Sequence, residues 1–323
     1  MGKNGIARRA MLAVATGGAV AALLPTQVRA ADMIRIGLPT KTYWPTIVAE
    51  TALRRKLFEK EGISAELTVY RGGAEAFEAL AAGAADLVLD APALVATGLG
   101  KGVTTKLVAT GSTAYFGWQL MVRPDSPVTS PEQLAGKKVG ITSAGSGSDL
   151  LALWTQQAHK IDFTRVPLGG GGLVPNLRSG NVDAVVLYSP LSFQLLQAKQ
   201  ARTVIDYADA VPPHVNAGWI ASGIVLEKNP AMIQKGLNAL YGGLQILRAD
   251  RAQAIALIVE IDEITPAIAA YEYEQTTLKL STDPSMDVAS VQRGLDLARL
   301  SGMTDMAPAA ATIDARFKVV PTA

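Results

Sequence analysis

Residues 143–149, Ser143-Ala144-Gly145-Ser146-Gly147-Ser148-Asp149, have the types and spacing best suited to holding a charged group. They follow a short apolar segment at 138–142 and open a helical pattern that runs to residue 158. Such a junction aims backbone N–H groups, hydroxyls and the positive end of a helix at one point. An oxyanion is satisfied there without a full counter-charge. The same residues also read as a Ser-rich helix cap with glycines for a tight turn. The stretch lacks the Gly-Lys-Ser/Thr ending of a P-loop, and its glycine spacing is not that of a dinucleotide site.

Other candidates stand at the ends of apolar segments. Tyr43 and Trp44 are adjacent aromatics in an early loop, where they either stack on a ligand or plug a helix–sheet junction. Arg71, beside Gly72 and Gly73, either pairs with a carboxylate or sulfonate or is a solvated surface residue. Asp90-Ala91-Pro92 and Tyr188-Ser189-Pro190 occupy equivalent places. Asp90 either accepts from an ammonium group or caps the next helix. Trp118 and Trp219 flank two expected crossings between lobes, as hinge packing or as the cleft floor. For an enzyme, Ser143, Ser146 and Ser148 lack a Gly-x-Ser-x-Gly elbow, and neither His159 nor His214 has a catalytic partner nearby in sequence.

These candidates are positioned by an internal repeat. Residues 71–89 (RGGAEAFEALAAGAADLVL) recur ninety-seven positions later at 168–186 (LGGGGLVPNLRSGNVDAVV). Gly72, Gly73, Leu80, Gly83 and Asp86 match Gly169, Gly170, Leu177, Gly180 and Asp183. Each copy reads as a glycine turn, a short amphipathic helix, a glycine stop and an apolar strand. Two copies predict two lobes of one plan with the site between them. Strands at 34–38, 65–70, 87–89 and 105–110 alternate with helices at 46–60 and 93–101, which predicts a largely parallel α/β sheet. Asp86 and Asp183 are expected to fix the turn into each strand. Residues 219–226 return the chain to the first lobe, and a helical tail at 231–249, 251–258, 265–278 and 288–300 is expected to pack on it.

The chain has 323 residues, 49% apolar and 18% charged, ample for two lobes. It has no cysteine, which excludes disulfides and thiolate metal sites, and two histidines make a multi-histidine site untenable. Neither a metal nor a cofactor is expected. Residues 1–30 read as a cleaved export signal, with Lys3, Arg8 and Arg9 ahead of an apolar run and Val28-Arg29-Ala30 before the cut. The pair Arg8-Arg9 resembles a twin-arginine signal, with Ala7 where a polar residue is usual. Removing this segment takes four basic residues from thirty and leaves 26 against 28 acidic ones, formally −2. That balance argues against nucleic-acid binding.

Taken with residues 126–140 (SPVTSPEQLAGKKVG), the repeat units at 71–86 and 172–183, Asp90-Ala91-Pro92 and the 143–148 turn, the chain resembles the periplasmic substrate-binding proteins of ABC importers. The group in question handles sulfonates, taurine, nitrate and thiamine precursors, and the resemblance covers the whole mature chain. The resemblance implies a type II binding-protein fold: two α/β lobes joined by two crossover strands, with a ligand cleft between them. Lobe 1 would comprise 31–120 and a largely helical 217–323, and lobe 2 would comprise 121–216. By position it implies ligand contacts from Tyr43, Trp44, Arg71, Gly72, Gly73, Asp90, Ala91, Pro92, Thr113, Ser143, Gly145, Ser146, Gly147, Ser148, Leu168, Gly169, Gly170, Tyr188 and Trp219. It further implies a monomer that binds a small organic anion and delivers it to a membrane permease; Tyr43, Trp44 and Arg71 fit an aromatic or short aliphatic sulfonate or carboxylate. An exported enzyme or a periplasmic sensor of the same fold is the alternative. The thiamine-precursor branch is marked by a cysteine-rich run, which this chain lacks.

Overall fold

Alternating apolar residues build the first strand: Ile34, Ile36 and Leu38 are all buried. The computed structural model describes residues 32–323, so the expected export signal lies outside the described residues. In chain order the first part runs β1 (Asp32–Leu38), α1 (Trp44–Arg54), α2 (Leu57–Lys60), β2 (Ile63–Val69), α3 (Gly73–Ala81), β3 (Leu87–Asp90), α4 (Pro92–Gly100) and β4 (Thr105–Ser112). The middle runs β5 (Gln119–Val122), β6 (Lys138–Ile141), α5 (Gly147–His159), β7 (Thr164–Pro167), α6 (Gly170–Ser179), β8 (Ala184–Leu187), α7 (Leu191–Gln197), β9 (Arg202–Asp206) and α8 (Tyr207–Ala210). The chain ends with β10 (Ala217–Ser222), α9 (Gly223–Lys228), α10 (Pro230–Ala249), α11 (Arg251–Asp262), α12 (Pro266–Gln275), α13 (Val288–Leu300) and α14 (Ala309–Thr312).

Two five-stranded sheets result, ordered β2-β1-β3-β10-β4 and β7-β6-β8-β5-β9. They correspond strand for strand. In each, the member that enters from the other lobe, β10 or β5, lies antiparallel beside the strand of the repeat. The chain passes between the sheets through residues 113–118 and 207–216, so β5 belongs wholly to the second sheet. The expected boundary at 121 falls inside that strand.

The aspartates of the repeat do the same job twice. The Asp86 N–H donates to the Arg35 carbonyl, and the Asp183 N–H to that of Lys138. In return the Asp86 carboxylate accepts the Arg35 N–H at 2.9 Å, and that of Asp183 accepts the Lys138 N–H at 2.8 Å. Each pair clamps the start of the central, repeat strand to the neighbouring strand, β1 or β6. Asp86 also takes a bidentate pair from the Arg35 guanidinium at 3.0 and 2.6 Å. Asp86→Ala therefore strands more donors than Asp183→Ala. We expect a loss of about 2 kcal/mol for the first and about 1 kcal/mol for the second. Thermal melts check this; equal midpoints for the two variants would contradict it.

Two expectations need correction and one is refined. The single helix over 46–60 is two helices, because Lys56 takes a left-handed conformation (φ 57°) that turns the chain and buries Leu57 and Phe58. Residues 219–226, expected only to return the chain to the first lobe, do so as the end of β10 followed after Ser222 by α9, which the sequence reading did not separate. The tail does not rest on the first lobe alone. α10 packs on α1, with Gly243 against the Val48 carbonyl where a Cβ would come within 2.7 Å. Beyond it, α12 reaches α7 and α13 reaches α5, both in the second lobe. Tyr271 stacks edge-on against Phe193 at 4.7 Å. No described helix is long and apolar enough to cross a membrane.

Candidate functional site

The carboxyl ends of the strands in both sheets converge on a chamber of about 40 Å³. The first sheet and its loops supply Pro39, Thr40, Tyr43, Gly73, Asp90 and Ala91, and the second supplies Thr142, Ser146, Gly147 and Tyr188. The two passages between sheets supply Tyr115, Trp118 and Asn216. Four aromatic rings wall it: Tyr188 lies 5.2 Å from Tyr43 and 5.3 Å from Trp118, Trp118 lies 5.6 Å from Tyr43, and Tyr115 lies 6.4 Å from Trp118. The Trp118 Nε1–H donates to the Tyr43 hydroxyl at 3.1 Å. A wider recess of about 470 Å³ adjoins the chamber, sharing Thr40 and Tyr188 with it. Lys41, Arg71, Leu168 and residues 169–172 line that recess. The lobes touch here, with the Gly170 N–H donating to the Arg71 carbonyl at 2.8 Å.

Three buried polar atoms in the chamber wall have no partner among the described residues: Asp90 Oδ2, Thr40 Oγ1 and Asn216 Oδ1. Buried polar groups are paired in nearly all folded proteins, so three unpaired ones around one cavity mark a place built to meet something. Asp90 comes from the end of β3, and antiparallel pairing of Gly218 with Asp90 brings Asn216 close by. The other Asp90 oxygen accepts the Ala91 N–H at 2.7 Å. Asp90 therefore does not cap α4, whose N-cap is Ala91.

Burial without a cation pushes the Asp90 carboxyl up to about 7, with the Ala91 N–H acting the other way. Tyr43 and Tyr115, the titratable groups facing it, are themselves pushed up by burial. A second acid pair, Asp262 on α11 and Glu272 on α12, is likewise raised by burial. For Asp262, the Glu272 charge adds to the rise and Lys41 opposes it. Unfolded carboxyls ionise near pH 4. Between there and neutrality these three carboxyls hold more protons in the folded chain, so their contribution to stability falls as pH rises from about 4 towards about 7, while His214, lowered by burial, acts the other way. We expect the midpoint of the solute-free protein to drop by several degrees from pH 5 to pH 8. Scanning calorimetry of wild type beside Asp90→Asn checks this, the variant showing the shallower slope. A midpoint that rises over that range would contradict it.

The structure separates the expected site residues into groups. Tyr43, Gly73, Asp90, Ala91, Ser146, Gly147 and Tyr188 line the chamber, and Arg71, Leu168, Gly169, Gly170 and Tyr188 line the recess. Gly72 and Ser143 meet across the lobes beside them, where a Cβ on Gly72 would lie 2.5 Å from Ser143 Oγ. Trp44 turns away from the chamber, into lobe 1 beside Trp219 and Tyr241. Trp219 is 2% exposed in the middle of the sheet, so neither tryptophan reaches the cleft. Thr113 lines a separate surface hollow with His214, and Pro92 starts α4.

The Ser/Gly turn is more self-contained than its composition suggests. Ser148 Oγ accepts the Thr142 N–H at 2.9 Å, and Ser146 Oγ lies 2.8 and 2.9 Å from the Thr142 and Ser148 hydroxyls. The Gly145 N–H, at φ +80°, goes to Asp149, which is paired in turn with Arg165. Short polar side chains on a turn reach one another before they reach a ligand. Neither Gly145 nor Ser148 lines the chamber. What the turn offers is the start of α5, whose first intrahelical bond is Leu150 N–H to the Ser146 carbonyl, leaving the Gly147 and Ser148 amides ahead of it. Sequence reading missed Thr40, Tyr115, Thr142 and Asn216 as wall residues. The aromatic pair Tyr115 and Trp118, close together in a polar loop, was the available signal.

A two-lobed frame with mirrored sheets, two passages between them and a polar chamber at their junction defines a type II periplasmic binding-protein fold. The NMT1/THI5-like family model matches residues 45–254, and the chain belongs to that family. A provisionally named binding protein of Brucella abortus is 25% identical over 288 residues, covering 84% of each chain. A provisionally named aliphatic sulfonates-binding protein of Escherichia coli is 25% identical over 270 residues, covering 81% of this chain and 82% of its own. Among solved structures, the alkanesulfonate-binding protein SsuA from Xanthomonas axonopodis bound to MOPS has a TM-score of 0.74 at 19% identity, covering 88% of this chain and 98% of its own.

Proposed function

We propose that this chain is the exported solute-capturing component of an ABC importer. It binds a small organic acid, a sulfonate or carboxylate, between its lobes in the periplasm and presents it to a membrane permease. The observation that carries this reading is the chamber itself, where polar groups of both lobes and of the passages between them converge beside the amides at the start of α5, with three atoms of the first lobe and one passage unpartnered among the described residues. The acidic group of the solute meets those amides, with Arg71, exposed in the adjoining recess and 3.7 Å from Glu75, as a positive charge nearby. A solute touching both lobes favours the closed arrangement that the Gly170–Arg71 bond joins, which is a population shift. The sulfonate and binding-protein names of the relatives support the same role. Binding rather than turnover fits a chamber whose one serine on the wall, Ser146, has neither histidine beside it.

A thermal-shift screen of short sulfonates and carboxylates, run beside a turnover assay, tests the proposal. At a hundredfold excess over Kd a bound solute stabilises the fold by about 2.7 kcal/mol. Saturable stabilisation with no product is expected. Product formation, or a flat response across both classes, would count against it.

A further inference from the structure

The chamber's chemistry is poorly matched to an anion alone. Two of its three unpaired atoms are acceptors only, Asp90 Oδ2 as a carboxylate oxygen and Asn216 Oδ1 as an amide oxygen; the third, the Thr40 hydroxyl, both donates and accepts. Among the described residues, no lysine, arginine or histidine lines it. A bare oxyanion there would sit near a carboxylate with no counter-charge and would leave both acceptors unmet. Four aromatic side chains, Tyr43, Tyr115, Trp118 and Tyr188, share the wall with them, and aromatic surroundings with a carboxylate suit an ammonium or N–H group. The volume of about 40 Å³ holds a small head group, while the adjoining recess of about 470 Å³, carrying Arg71 and Lys41, holds the bulk of a larger molecule.

We infer that the solute is amphoteric: an amine or other N–H group seats against Asp90 and Asn216, and the acidic group lies towards the start of α5 and the recess. This rests on the solute-binding reading above and narrows it. Asp90 becomes the residue that separates amino acids of the sulfonate or carboxylate class from the corresponding simple acids. It does so by rejection as well as attraction, since an acid lacking the donor leaves a buried carboxylate unpaired. The raised affinity of Asp90 for a proton fits a carboxyl awaiting a partner.

Calorimetric titration of two matched pairs tests the inference: 2-aminoethanesulfonate against ethanesulfonate, and 4-aminobenzenesulfonate against benzenesulfonate. For wild type, the amino member of at least one pair should bind more tightly by about tenfold or more. Asp90→Asn keeps the acceptor for the Ala91 N–H, so its melt should show a folded protein. It should weaken the amino member by roughly 100-fold and strengthen the simple acid, reversing the order. Equal or tighter binding of the simple acids by wild type, with a ratio that Asp90→Asn does not move, would overturn the assignment. A second arm is independent of the probes: high-resolution mass spectrometry of the solute released from the full chain purified from its producing cells. A nitrogen-containing acid supports the inference. A nitrogen-free acid overturns it while leaving solute binding intact. Release of no solute together with no probe binding overturns both.

Discussion

Replacing Gly72 by isoleucine is expected to weaken solute binding about 100-fold with little change in the stability of the protein without solute. Gly72 is extended (φ −175°, ψ 166°), a conformation that any residue adopts, so the substitution strains no backbone. Its α-carbon faces the other lobe. An added Cβ would stand 2.5 Å from Ser143 Oγ and 3.2 Å from Thr142 Oγ1, well inside contact distance. Opening the cleft relieves that clash without unfolding either lobe. Closure, and the contacts it completes, is what the wedge removes, and about 2.7 kcal/mol of lost closure is a factor of about 100 in Kd. Gly73→Ala is the contrasting control. Its Cβ would fall 2.1 Å from Asp90 Oδ2 in the same lobe, so it should lower the melting midpoint as well as affinity. Calorimetric titration and melts of both variants separate wedge from damage. Unchanged affinity in Gly72→Ile would mean that binding does not need the lobes to meet.

Trp219→Ala is expected to cost about 3–5 kcal/mol of stability. Trp219 pairs with Leu89 on one side and Ala109 on the other, in a strand held between β3 and β4. At 2% exposure its indole has no route to the cleft, and its removal leaves a cavity among Trp44, Leu240 and Tyr241. The midpoint should fall by about 10 °C. Affinity measured well below the new midpoint should stay within a few-fold of wild type. A folded variant that had lost binding would return Trp219 to the site.

The mirrored lobes were legible in the sequence because the repeat carries the residues that geometry demands. Asp86 and Asp183 recur since each must meet the backbone of the strand beside it, β1 or β6. Gly83 and Gly180 recur since each ends its helix with a positive φ. The chamber was legible only at its edges. Asp90 and Tyr188 follow the repeat strands, so position alone placed them. Asn216 joins Asp90 through the register of a strand that arrives more than a hundred residues later, which no local pattern encodes. Thr40 and Tyr115 lie in loops whose direction depends on how the lobes pack. The serines of the 143–148 turn misled in the opposite sense, because composition does not reveal that Ser146 and Ser148 bond to Thr142 and to each other. Trp44 shows the same limit: beside Tyr43 in sequence, it faces the opposite way in space.

Native mass spectrometry of the mature protein, isolated from its producing cells without denaturation, tests the central claim most directly. The account predicts a complex heavier than the chain by one small acidic molecule. That molecule should leave on unfolding, rebind with saturation to the emptied protein, and fail to rebind to Gly72→Ile at the same concentration. A chain that carries no such molecule, or that returns it chemically altered, would contradict the account.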